Sequence, residues 1–143
     1  MVAVKRSFSL AELLVTIMII GLISAVSFAG LKGYRQRASF NTSSEQIRDE
    51  VLKAQNLSLA PSSETVTDYT FSIDASGSYS VKNSEATVIN SGKAPGLTSD
   101  AISITFYVGS GSATASSFKV YDAQNPSVFR TISVSANGLV EFR

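Results

Sequence analysis

The sequence predicts an α+β fold: one long N-terminal helix packed on a small antiparallel β domain of about seven strands. Two observations predict it. Up to residue 60 the chain has no proline, and its apolar residues first run together and then recur at helical spacing. After Pro61 the apolar period becomes two, the mark of strands with one buried face.

The helix comes first. Residues 13–31 carry no charge, with Glu12 before them and Lys32 after. A stretch of about 20 apolar residues is long enough to cross a bilayer. Beyond it, Phe40, Ile47, Val51, Ala54 and Leu57 recur at steps of three, four and seven and make one apolar stripe. Lys32, Arg35, Arg37, Arg48, Asp49, Glu50 and Lys53 fall mostly on the other faces. Pro61 closes the pattern and Ser62-Ser63 begins a turn. A helix from Phe8 to Leu59 would be about 78 Å long at ~1.5 Å per residue. Gly30, Gly33 and the polar run Asn41-Thr42-Ser43-Ser44 are the places where it would bend or loosen.

The strands follow. Residues 67–73 and 78–82 alternate around Asp74-Ala75-Ser76-Gly77, a hairpin signal. Further strands are expected at 86–90, 102–108, 117–122, 128–135 and 139–142, the last two joined by Asn137-Gly138, both tolerant of positive φ. The aromatic residues Tyr69, Phe71, Tyr79, Phe106, Phe118, Phe129 and Phe142 are the expected core. Segments 90–99 and 109–117, rich in Gly and Ser, are expected to be flexible loops.

Composition narrows the chemistry. The chain has 143 residues, no Cys and no His. Disulfide staples, thiolate nucleophiles and imidazole bases are therefore absent. Asp68, Asp74, Asp100 and Asp122 lie scattered beside turn residues and read as turn formers rather than calcium ligands, because no Asp-x-Asp spacing occurs. No catalytic residue, metal ligand or cofactor site is assigned, and the chain is not expected to be an enzyme. From residue 62 onward there are five basic and seven acidic residues, so the β domain lacks the basic excess of a general nucleic-acid binder.

The N-terminal run has three readings: a plain membrane anchor, a secretory signal cut before Gly30, or a leader cut on the cytoplasmic side of the apolar run. Glu12 favours the third, since an acid beside hydrocarbon costs roughly 2.5–3.5 kcal/mol and neither other reading needs it. Lys5-Arg6-Ser7 followed by Phe8-Ser9-Leu10-Ala11-Glu12-Leu13-Leu14-Val15 resembles the N-terminus of the type IV pilin and pseudopilin superfamily.

The resemblance implies four parts: a leader at 1–7, a transmembrane and filament-core helix at 8–31, its amphipathic continuation at 32–60, and a globular β domain at 61–143. It implies cleavage between Ser7 and Phe8 by prepilin peptidase, N-methylation of Phe8, and an assembly contact between Glu12 and the Phe8 amine of a neighbouring subunit. It further implies a single-pass protein of the bacterial inner membrane with its C-terminal domain outside the cytoplasm, held in the lipid bilayer before an assembly platform passes it into an extracytoplasmic filament. Ser7 stands where the family usually has Gly, a small residue that should still fit the peptidase, and Ala29 stands where many major pilins have a proline, which leans toward a minor or pseudopilin subunit. The tail with its strand–Asn137-Gly138–strand resembles the GspH/FimT-type minor pseudopilins and minor pilins. The function implied is a structural subunit of a type IV pilus or type II secretion pseudopilus. The alternative is a DNA-binding minor pilin of an uptake pilus, with Lys119, Arg130 and Arg143 as its basic spot.

Overall fold

The computed structural model describes residues 9–143, apart from the side chains of 26–30 and 32. The junction of Ser7 and Phe8 lies outside the described residues. One helix, α1 (Leu10–Leu59), is followed by eight strands: β1 (Asp68–Ile73), β2 (Ser78–Asn83), β3 (Val88–Lys93), β4 (Leu97–Ser99), β5 (Ile102–Tyr107), β6 (Ser116–Asp122), β7 (Phe129–Val134) and β8 (Val140–Phe142). The chain divides into a first unit that ends at Arg37 and a second, Ala38–Arg143.

In the second unit the strands form two antiparallel sheets, β3-β2-β1-β5 and β4-β6-β7-β8. Alternation sets which side chains go inward: Tyr69, Phe71 and Ile73 on β1, Phe118 and Val120 on β6, and Ile132 and Val134 on β7 are all buried. All but Tyr69 meet the helical stripe of Phe40, Ile47, Val51 and Ala54 in a single core. Phe71 joins the two sheets, with its ring 6.3 Å from Phe118 of the other sheet.

Several expectations are corrected here. There are eight strands, because β4 forms inside the segment expected to be a loop. Gly77 makes that strand fit: it has φ +77°, and a Cβ there would stand 2.6 Å from the Leu97 carbonyl. The 109–117 segment also folds back, with Ala113 bridging Phe106 and the Gly109 N–H donating to Ser58 O at 2.9 Å. The polar run does not loosen the helix. Ser43 and Ser44 are buried, and their hydroxyls donate to Pro95 O at 2.8 Å and Phe40 O at 2.7 Å. Small hydroxylated residues let the helix approach the strands closely while every buried donor finds an acceptor. α1 is also unbroken through Gly30 and Gly33. In the last hairpin only Gly138 takes positive φ, and the Gly138 N–H donates to Ser135 O at 2.9 Å. That places three residues between Ser135 and Leu139, the loop in which a turn is closed by a left-handed glycine. Phe129 is not core: it is 47% exposed on the outer face of the second sheet, while Phe142 is only partly buried.

Candidate assembly site

The start of α1 is a capping box. Ser9 precedes the first helical residue, and its Oγ accepts the Glu12 N–H at 3.2 Å. The Glu12 carboxylate reaches back and accepts the Ser9 N–H, also at 3.2 Å. Two of the four N–H groups left over at a helix start are satisfied this way, and the negative charge sits at the positive end of the helix dipole. The spacing Ser-x-x-Glu is itself the sequence signal for such a box. Glu12 stands out as the lone acid of an apolar run, and that prominence hides its local bond.

Behind the box, every large apolar side chain from Leu10 to Ile23 is more than half exposed. Two hydroxyls in this half of the helix bond its own backbone. Thr16 donates to Glu12 O at 2.6 Å and Ser24 to Ile20 O at 2.8 Å, each one turn back. A helix that is apolar all round must be covered by something other than water. Among the described residues no helix is long and apolar enough to cross a membrane.

The three basic residues proposed as one spot are not brought together. Arg130 turns toward α1, where it bonds Glu45 at 3.3 Å and Asn41 at 3.1 Å and covers the Phe142 ring at 4.8 Å. Lys119 and Arg143 lie on the opposite, outer face, flanking Thr131 in register. Lys119 stands over Phe129 at 4.4 Å, and Arg143 pairs with Glu141 at 3.1 Å. Asp100 also reaches this face, accepting from the Lys119 N–H at 3.0 Å and the Tyr121 hydroxyl at 3.3 Å. Partial burial, and then the Asp100 charge, push the Tyr121 hydroxyl above its ordinary range. The second sheet thus presents mixed charge rather than a basic patch. Among the described residues no three acidic side chains gather as metal ligands.

A long N-terminal helix packed through its second half on antiparallel sheets is the pilin fold. Two crystal structures of the type IV minor pilin FimU from Pseudomonas aeruginosa share it. One superposes with a TM-score of 0.60 at 14% identity, covering 77% of this chain and 92% of that one. The other gives a TM-score of 0.57 at 14% identity, covering 72% and 91%. No family model matches the sequence, and no curated protein matches it.

Proposed function

We propose that this chain is a minor pilin or pseudopilin, a non-enzymatic subunit of a type IV pilus or type II secretion pseudopilus. The observation that carries the reading is the apolar half of α1, exposed on every side from Leu10 to Ile23 and headed by a single acid. Such a surface is suited first to lipid and then to the bundled helices of a filament core. The pilin fold of the second unit supports the same reading. In this scheme prepilin peptidase cuts between Ser7 and Phe8 and methylates the new amine. The chain waits in the inner membrane with its β domain outside the cytoplasm, and the Glu12 carboxylate meets the Phe8 amine of the next subunit as an assembly platform adds it. The ion pair acts as a register device, since one axial offset alone brings the two charges together. Mass spectrometry of protein extracted from membranes tests the scheme: the chain should begin at an N-methylated Phe8. A mature start at Met1 or Gly30 would overturn it.

The second reading, a minor pilin that binds DNA, would rest on Lys119 and Arg143 alone, because Arg130 is committed to Glu45. Glu141 and Asp100 dilute that pair of cations. Phosphate contacts make affinity fall steeply with salt, so DNA binding by the full chain that is absent, or indifferent to salt, removes this reading.

A further inference from the structure

The apolar half of α1 is followed by three cations with no acid near them in the sequence. Lys32, Arg35 and Arg37 stand in sequence after the apolar run, and no Asp or Glu occurs between Glu12 and Glu45. Arg35 and Arg37 are exposed, and Tyr34 between them and Lys32 is 72% exposed. Among the described residues the ion pairs engage Arg48, Lys53, Arg130 and Arg143; neither Arg35 nor Arg37 takes part in one.

Their arrangement is a ring rather than a face. At about 100° per residue, Arg37, Tyr34 and Arg35 fall about 140°, 200° and 300° around the helix from Lys32, so the four positions together encircle it and leave no arc wider than about 140°. A partner helix or a single protein surface would need its contacts on one side. A ring fits a plane that the helix passes through. The axial position agrees: Glu12 to Lys32 spans about 30 Å at ~1.5 Å per residue, and the hydrocarbon layer of a bilayer is about 30 Å thick. Tyrosine and arginine are the side chains that keep an apolar body in the boundary layer while the polar end reaches the headgroups.

We infer that Tyr34, Arg35 and Arg37, with Lys32, form a cationic collar that binds the phosphates of anionic phospholipids in the leaflet away from the leader. The inference rests on the membrane reading proposed above. Tyr34 sits at headgroup depth, and the guanidinium groups of Arg35 and Arg37 take phosphodiester oxygens from several lipids around the helix. The collar fixes how far the helix sinks into the bilayer, and it must shed these lipids when the subunit leaves for a filament. Each basic residue near an anionic surface strengthens association about fivefold, and the effect is screened by salt.

The full chain, reconstituted in vesicles, provides the test. Spin-labelled phosphatidylglycerol and spin-labelled phosphatidylcholine report how strongly each lipid is held at the protein. The wild type should hold the anionic lipid severalfold more strongly. The double variant Arg35→Ala/Arg37→Ala should lose most of that preference, Arg35→Lys/Arg37→Lys should keep most of it, and added salt should weaken it. Equal retention of both lipids by the wild type overturns the collar, as does an unchanged preference in the double alanine variant. Resistance to alkaline extraction is measured in parallel. If the wild type is extracted from the vesicles, the membrane reading itself fails; if it resists extraction but shows no lipid preference, the collar alone fails.

Discussion

Glu12 has one observed role and one proposed role, and their magnitudes separate them. As the far half of a capping box it bonds Ser9 at 3.2 Å, a contribution of about 1 kcal/mol. As the proposed partner of a neighbour's amine it would prevent a buried, unpaired charge, which costs about 3–5 kcal/mol. Glutamine also serves in a capping box, so Glu12→Gln keeps the first role and removes the second. The variant should insert and be processed like the wild type yet be strongly depleted from purified filaments, as far as Glu12→Ala. Filaments containing Glu12→Gln at wild-type levels would make the cap the sole role of this side chain. Asp74, in the β1–β2 turn, offers a second check at this scale. The Ser76 hydroxyl first, and then the Ser78 N–H, hold its carboxyl below the ordinary range of 3.8. The folded-state value is thus the lower one, so the stabilisation is present above the unfolded value and is lost as the pH falls through the folded one. Asp74→Ala should lower the thermal midpoint at neutral pH and change it far less in strong acid; an equal loss at both would mean that ionisation plays no part. At this scale the sequence shows the special acid but not its neighbours. Arg130 and Glu45 lie far apart in the chain, and only the approach of β7 to α1 pairs them.

The second half of α1 was the most legible element. Phe40, Ile47, Val51 and Ala54 are buried as their spacing requires, and Leu57 is partly buried at the edge of the same core. The stripe is wider than apolar residues alone suggest, because Ser43, Ser44 and Ser58 are buried with it. Ser44 and Ser58 bond a carbonyl one turn back and Ser43 bonds Pro95 O, so all three behave as small core residues, and no hydropathy pattern marks them. β4 was hidden for another reason. Only three residues long and placed next to Pro95 and Gly96, it lacks room to show alternation. It exists because Leu97–Ser99 pairs with β6 and the Gly77 turn packs on the Leu97 carbonyl. Phe129 was misplaced because an aromatic residue on a strand fits either face: packing with Tyr121 at 6.0 Å and under Lys119 supports it in the open. The stripe gives a decisive prediction. Val51 is fully buried among residues of both sheets. Val51→Asp places an unpaired carboxylate there, at a cost of several kcal/mol, whereas Leu52→Asp, on the partly exposed neighbouring position, should be tolerated. Circular dichroism should show the first variant unfolded or greatly lowered in midpoint and the second near wild type. Equal midpoints for Val51→Asp and wild type would place that face of the helix in solvent.

The molecule divides its two tasks between two units, each with its own rule for burying apolar surface. The first unit, ending at Arg37, leaves its large side chains from Leu10 to Ile23 exposed, and none of its described residues is buried. The second, Ala38–Arg143, draws its core from α1 and from both sheets. With no cysteine in the chain, that core must supply the stability that a disulfide gives many small exported domains. All buried side-chain nitrogen and oxygen atoms among the described residues have a hydrogen-bond partner, so little is lost to unmet polar groups. The residues of the second unit's core cluster run from Phe40 to Phe142. A fragment of residues 38–143 should therefore be soluble and monomeric, and should unfold in one cooperative transition. The same fragment begun at residue 61 should not fold, because both sheets would then face water across the space left by Phe40, Ile47, Val51 and Ala54. Removing three large buried apolar side chains at about 1.5–3 kcal/mol each, with Ala54 adding less, is a loss of the same order as the ~5–15 kcal/mol that holds a typical domain together. Thermal melts of the two fragments decide it. A cooperative transition in the shorter fragment would show that the sheets form a self-sufficient sandwich and that α1 is only attached to it; none in the longer one would mean that the apolar half of the helix is needed for folding as well as for assembly.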